Sequence, residues 1–163
     1  MSKHPYRHII GSLRYLEQCT RPDIAFALNR LSCYQVNPGL PHWNELKHLV
    51  RYVVGTRHHG ILFGKNSYPQ HAALQYDLSG PLECFVDSDH AADKDTRRST
   101  TGYVFYSRGG PISWRSRLQN STAISTTEAE FMAASDAACK NAWLRRLIGE
   151  LTNISCTCIN GLL

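Results

Sequence analysis

The chain has 163 residues, a hydrophobic fraction of 42%, a net charge of +5 and a pI near 9.0. That length allows one domain, or one small domain with part of another, and the composition excludes wholesale disorder. The polar start from Met1 to Tyr6 and the lack of any apolar run near ~20 residues argue against a secretory leader or a bilayer span, so the expectation is an intracellular chain (cytoplasm or nucleus), not secreted and with no membrane partner.

The first half reads as helical. Ile9, Ile10, Leu13 and Leu16 recur at a helical period. Thr20-Arg21-Pro22-Asp23 breaks that helix and starts another, because proline suits a first turn, where its missing N–H costs nothing. Ile24, Ala27, Leu28 and Leu31 form the second apolar stripe, ended by Asn37-Pro38-Gly39. Trp43, Leu46, Leu49, Val50 and Val53 form a third, with Gly55 at its stop. Residues 60–64 (GILFG) suit a short strand, and 67–80 read as a linker.

The second half changes period. Leu82 to Asp87 alternates as a strand, Tyr103 to Ser107 is β-rich, Gly109-Gly110 is a turn and Ile112 to Trp114 begins a return strand. Ala123-Ile124 suits a further short strand segment. Ser125 to Leu151 is the strongest helix, opened by the capping box Ser125-Thr-Thr-Glu128. The reading is a mixed α/β (α+β) chain: a helical segment over 1–66, a linker over 67–80, and three antiparallel strands with a long helix over 81–163. The six cysteines sit in apolar patterns, as reduced thiols filling core positions would. Cys156-Thr-Cys158 lacks the second ligand pair that a structural zinc site needs.

The acidic stretch after the first strand invites a chemical reading. As a calcium loop it fails: counted from Asp87, the sixth position is Ala92 rather than glycine and the twelfth is Arg98 rather than glutamate. A solvated acidic turn, paired locally with Lys94, Arg97 and Arg98, is one alternative. The other pairs Asp87, at a strand end, with Glu130, from the first turns of the long helix. Two such carboxylates over a sheet can hold Mg²⁺, a hard cation that takes oxygen ligands. Glu128 is the third residue of the capping box and is assigned to the helix start instead. Ala133, Ala134 and Ala137 are small enough to let the helix approach a sheet closely.

The segments "YRHIIGSLRYL", "TRPDIAFALNRLS", "HWNELKHLVRYVVGT", "FVDSDHAADKDTRRSTTGYVF", "GGPISWRSRLQ" and "STTEAEFMAASDAACKNAWLRRL" resemble, in that order, the C-terminal part of the Pol polyprotein of copia-type LTR retrotransposons. The resemblance runs from Tyr6 to Leu151. It implies a reverse-transcriptase connection or thumb segment, followed by the start of an RNase H-like fold. It implies Asp87 and Glu130 as catalytic, metal-binding residues, Mg²⁺ as cofactor, and an RNA–DNA hybrid or other nucleic acid, with the rest of the polyprotein, as partners. It gives Asp89 a secondary role and matches Arg97, Arg98, Ser99 and Gly102 to a family signature that reads here as a structural turn before a strand, with phosphate contact as the lesser alternative.

In the family a further strand carries a third aspartate; here no aspartate follows Asp136. The expectation is therefore an incomplete RNase H-like domain, truncated and catalytically inactive by itself, with weak Mg²⁺ binding. An active Mg²⁺-dependent ribonuclease H and a non-catalytic nucleic-acid-binding module are the alternatives.

Overall fold

A computed structural model describes residues 4–63, 82–107 and 109–152. The chain divides into two compact units, Met1–Ile61 and Leu62–Leu163. The expected linker over 67–80 and the Cys156-Thr-Cys158 segment lie outside the described residues.

The first unit is helical: α1 (Tyr6–Cys19), a single 3-10 turn (Pro22–Ile24), α2 (Ala25–Ser32) and α3 (Leu40–Gly55). Tyr6, Ile10 and Leu13 on α1, Ile24, Leu28 and Leu31, and Leu46 and Leu49 on α3 form one buried cluster. Tyr6 begins the buried α1 stripe, and at its far end Glu17 is buried where periodicity gave Leu16, which is 37% exposed. The Tyr6 ring brings a hydroxyl into the core, and it donates to the Leu31 carbonyl at 2.9 Å, so no buried polar atom is stranded there. Pro22 opens the short turn as expected. At α3 the Gly39 N–H donates to His42 Nδ1 at 2.9 Å, and Pro41 occupies the first turn.

The second unit holds β1 (Glu83–Ser88), β2 (Thr100–Ser107), β3 (Gly110–Leu118) and α4 (Thr126–Thr152). The strands form one antiparallel sheet in the order β1-β2-β3, with Val86 opposite Tyr103, Asp87 opposite Gly102 and Ser88 opposite Thr101. Together with the helical unit this is the mixed α/β architecture expected from the two periodicities. Among the described residues, no strand pairs the outer edge of β1.

Alternation sends Leu82, Cys84 and Val86 of β1, and Tyr103 and Phe105 of β2, to the face covered by α4, where they pack with Ala137, Leu144 and Ile148. Ala129, Ala133 and Ala137, at i, i+4 and i+8, are all buried; their small side chains let the helix lie close. Gly110 opens β3 where a Cβ would stand 2.6 Å from the Phe63 ring and 2.8 Å from the Leu62 carbonyl oxygen, so only glycine fits.

Three local expectations change. Residues 61–63 form no strand. Ala123 and Ile124 do not either: Ile124 gives its N–H to the Glu128 carboxylate at 2.6 Å, which makes the segment a helix cap. Of the described cysteines read as core residues, Cys19, Cys33 and Cys139 are exposed free thiols, and Cys84 packs against a core cluster. A thiol within an apolar pattern can still fall on the outer side of a helix.

Candidate functional site

The C-terminal ends of β1 and β3 and the N-terminus of α4 meet at one end of the second unit. Gln119, just past β3, makes the joint. Its Nε2 donates to the Ala129 carbonyl of α4 at 2.9 Å and to Thr101 Oγ1 of β2 at 3.1 Å. Thr101 pairs in turn with Ser88, the residue after Asp87, and Ala129 precedes Glu130. Asp87 and Glu130 therefore belong to the same end of the unit.

The intervening loop, residues 89–99, is tightly hydrogen-bonded. The Asp89 carboxylate accepts from the Thr100 N–H, while the Asp89 N–H donates to the Thr100 carbonyl at 3.2 Å. The Asp93 carboxylate accepts from the Thr96 N–H at 3.0 Å and from the Thr96 hydroxyl. Ser99, fully buried, accepts from the Ala91 N–H at 3.0 Å. Arg98 reaches the Gln119 carbonyl at 3.3 Å and ties the loop to the β3–α4 connection. These bonds hold Ala91 and Arg97 at positive φ, 53° and 56°, a region that costs a side-chain-bearing residue roughly 1 kcal/mol or more. The arginine-serine signature here builds a loop, as the structural-turn reading expected.

The carboxylates divide into two groups. Asp89 and Asp93 hold the loop. Glu128 caps α4, with its own N–H donating to Ser125 Oγ at 3.1 Å in return. Asp136 pairs with Arg115 at 3.3 Å. By contrast the Asp87 and Glu130 carboxylates are exposed and make no hydrogen bond or ion pair among the described residues. The structure thus separates Glu128 from Glu130 as the capping box suggested.

The sequence reading has the two acids meeting over the sheet, and strand alternation and helix phase give their positions. Val86 faces α4, so alternation puts Asp87 with Phe85 in the opposite set. Glu130 is one residue, about 100° of helical turn, from the buried Ala129 position. Among the described residues no group of three or more His, Cys, Asp or Glu side chains is arranged to hold a metal ion.

Over 152 residues, 93% of its length, the chain is 43% identical to the retrovirus-related Pol polyprotein from transposon TNT 1-94 of Nicotiana tabacum. It is 41% identical over 146 residues to the corresponding polyprotein from transposon RE2 of Arabidopsis thaliana. The chain belongs to the Pol polyprotein family of copia-type retrotransposons. It spans about a tenth of the length of these two polyproteins. It is also 38% identical over 144 residues to secreted RxLR effector protein 161 of Plasmopara viticola, and there the match covers 94% of the relative. No protein-family model matches the chain, and no solved structure matches it.

Within this Pol fragment Gln119 escaped sequence reasoning, and Ser99, matched only as part of a structural turn, has a partner that the sequence did not name. Both are buried joints, and the signal for each is a polar side chain whose partners lie in another element. Among the described residues no helix is long and apolar enough to cross a membrane.

Proposed function

We propose that the second unit is an incomplete RNase H-like domain of a retrotransposon polyprotein, with the helical unit as the connection segment before it. The observation that supports this reading is the division of the carboxylates: Asp87 and Glu130 are free at one end of the unit, while their acidic neighbours are held in structural bonds. Two exposed carboxylates without protein partners are a fitting donor set for Mg²⁺, and Asp87 and Glu130 would hold it. When bound, the ion would activate water and stabilise a leaving oxygen in phosphodiester cleavage. The substrate class is the RNA strand of an RNA–DNA hybrid, and the rest of the polyprotein is the protein partner. Among the described residues no third acid joins this pair, so Asp87 and Glu130 are expected to hold the ion weakly and to support turnover well below an RNase H rate.

The test is a hybrid-cleavage assay on the 163-residue chain with Mg²⁺ or Mn²⁺, beside a Mn²⁺ titration. Weak Mn²⁺ binding that is lost on Asp87→Asn and on Glu130→Gln, and kept on Glu128→Gln, is expected. Hybrid cleavage that disappears on Asp87→Asn would restore the active-enzyme reading.

A further inference from the structure

Gln119 is buried, 6% exposed, just past the end of β3. Its backbone is anchored to the loop before β2: its N–H donates to the Ser99 carbonyl at 2.8 Å, and its carbonyl accepts from Arg98 Nη1 at 3.3 Å. From that fixed point its side-chain amide donates twice. One N–H goes to the Ala129 carbonyl of α4 at 2.9 Å, the other to Thr101 Oγ1 of β2 at 3.1 Å.

The two candidate ion ligands lie one step beyond these bonds. Glu130 follows Ala129, and Thr101 is opposite Ser88, which follows Asp87. One carboxylate is thus connected to the other through a strand pair and the two hydrogen bonds of a single amide. The other bonds at the start of α4 do not make this connection. Glu128 accepts from the Ile124 N–H and donates its own N–H to Ser125 Oγ, so both cap bonds stay within the helix start. They shape its first turn without fixing it to β2. Buried Ala129 and Ala133 bring the helix close, but methyl contacts tolerate a slide that directional N–H···O bonds resist.

We propose, resting on the carboxylate reading above, that Gln119 is the positioning residue of this site. It fixes Glu130 relative to Asp87 and so sets ion affinity without touching the ion. Partners that orient metal ligands from behind are worth about tenfold to a hundredfold in affinity.

The experiment uses the whole chain, with Mn²⁺ binding followed by electron paramagnetic resonance and backbone order read from ¹⁵N relaxation. Gln119→Met, which fills similar space with no donor, is expected to weaken Mn²⁺ binding about tenfold. In the ion-free protein it lowers the order parameter of the Glu130 amide below the rigid value of about 0.85. Thr101→Val removes one of the two acceptors and shifts both readouts the same way by less, so the test survives if Gln119→Met fails to fold. Leu144→Ala, which opens the core toward the other end of α4, lowers the urea midpoint and leaves both readouts unchanged. Parent-like affinity and order in Gln119→Met and Thr101→Val overturn the proposal. So does an equal loss in Leu144→Ala, because Gln119 would then act only through overall stability. A parent chain that binds no Mn²⁺ sinks the carboxylate reading instead; the order parameter then decides the joint alone, and an unchanged value overturns it.

Discussion

In the helical unit Arg21 sits between elements: its Nε and Nη2 hold Asp23 at 2.9 and 2.7 Å, and its Nη1 and Nη2 reach the carbonyl and hydroxyl of Thr56 at 3.2 and 2.7 Å. Tyr52 closes the group with a hydroxyl bond to Asp23 at 2.9 Å and its ring below the guanidinium. In the sheet unit the comparable residues are held less completely: Asp89, Asp93, Glu128 and Asp136 have partners, while Asp87 and Glu130 face water. An engaged charge contributes to holding its own fold and is unavailable to a ligand. An exposed free carboxylate contributes almost nothing to the fold and keeps its lone pairs for a cation.

The largest effect expected anywhere in this contrast comes from the sheet unit's core. Phe105 has no exposed surface, and Phe105→Ala should destabilise that unit by about 3–5 kcal/mol, read from the shift in urea midpoint. A loss below about 1 kcal/mol would mean that the α4–sheet contact is not tightly packed.

Next is the knot of the helical unit. Arg21→Met should cost about 2 kcal/mol, because it removes charge-assisted bonds and leaves the Thr56 groups with fewer partners. The same knot sets an acid response. The Arg21 guanidinium hydrogen bond, chiefly, holds the Asp23 carboxyl below its ordinary value; burial opposes this and the Tyr52 hydroxyl assists. A folded pKa below the unfolded one means the contribution is full above the unfolded value, about 4, and lost as pH falls through the folded value. Urea midpoints measured from pH 5 down to pH 2 should fall, and Asp23→Asn should flatten that slope. An unchanged slope in the variant would separate Asp23 from the acid response.

The finest distinction lies within α4. Glu128→Ala should lose about 1 kcal/mol, because the cap bond to Ile124 goes. Glu130→Gln and Asp87→Asn should stay within about 0.5 kcal/mol of the parent. If Glu130→Gln were the more costly change, the division between capping and free carboxylates would be reversed.

The sequence by itself determined most of the elements. Apolar residues at a period near 3.6 marked α1, α2 and α3, strict alternation marked β1, and Ser125-Thr-Thr-Glu128 marked the start of α4, because each signal acts between residues close in the chain. Family membership was legible for the same reason, in contiguous motifs. Local signals could not decide which side of an element a residue faces across a long-range contact. Three cysteines in apolar patterns turned outward, and Glu17 rather than Leu16 is buried at the end of the α1 stripe. Asp87 falls in the strand set opposite Val86, and Glu130 falls one residue from buried Ala129, positions that strand pairing and helix packing decide. Gln119 gained its role only when β3 brought it beside Thr101 and α4, since a buried amide depends on donors and acceptors that sequence distance does not reveal.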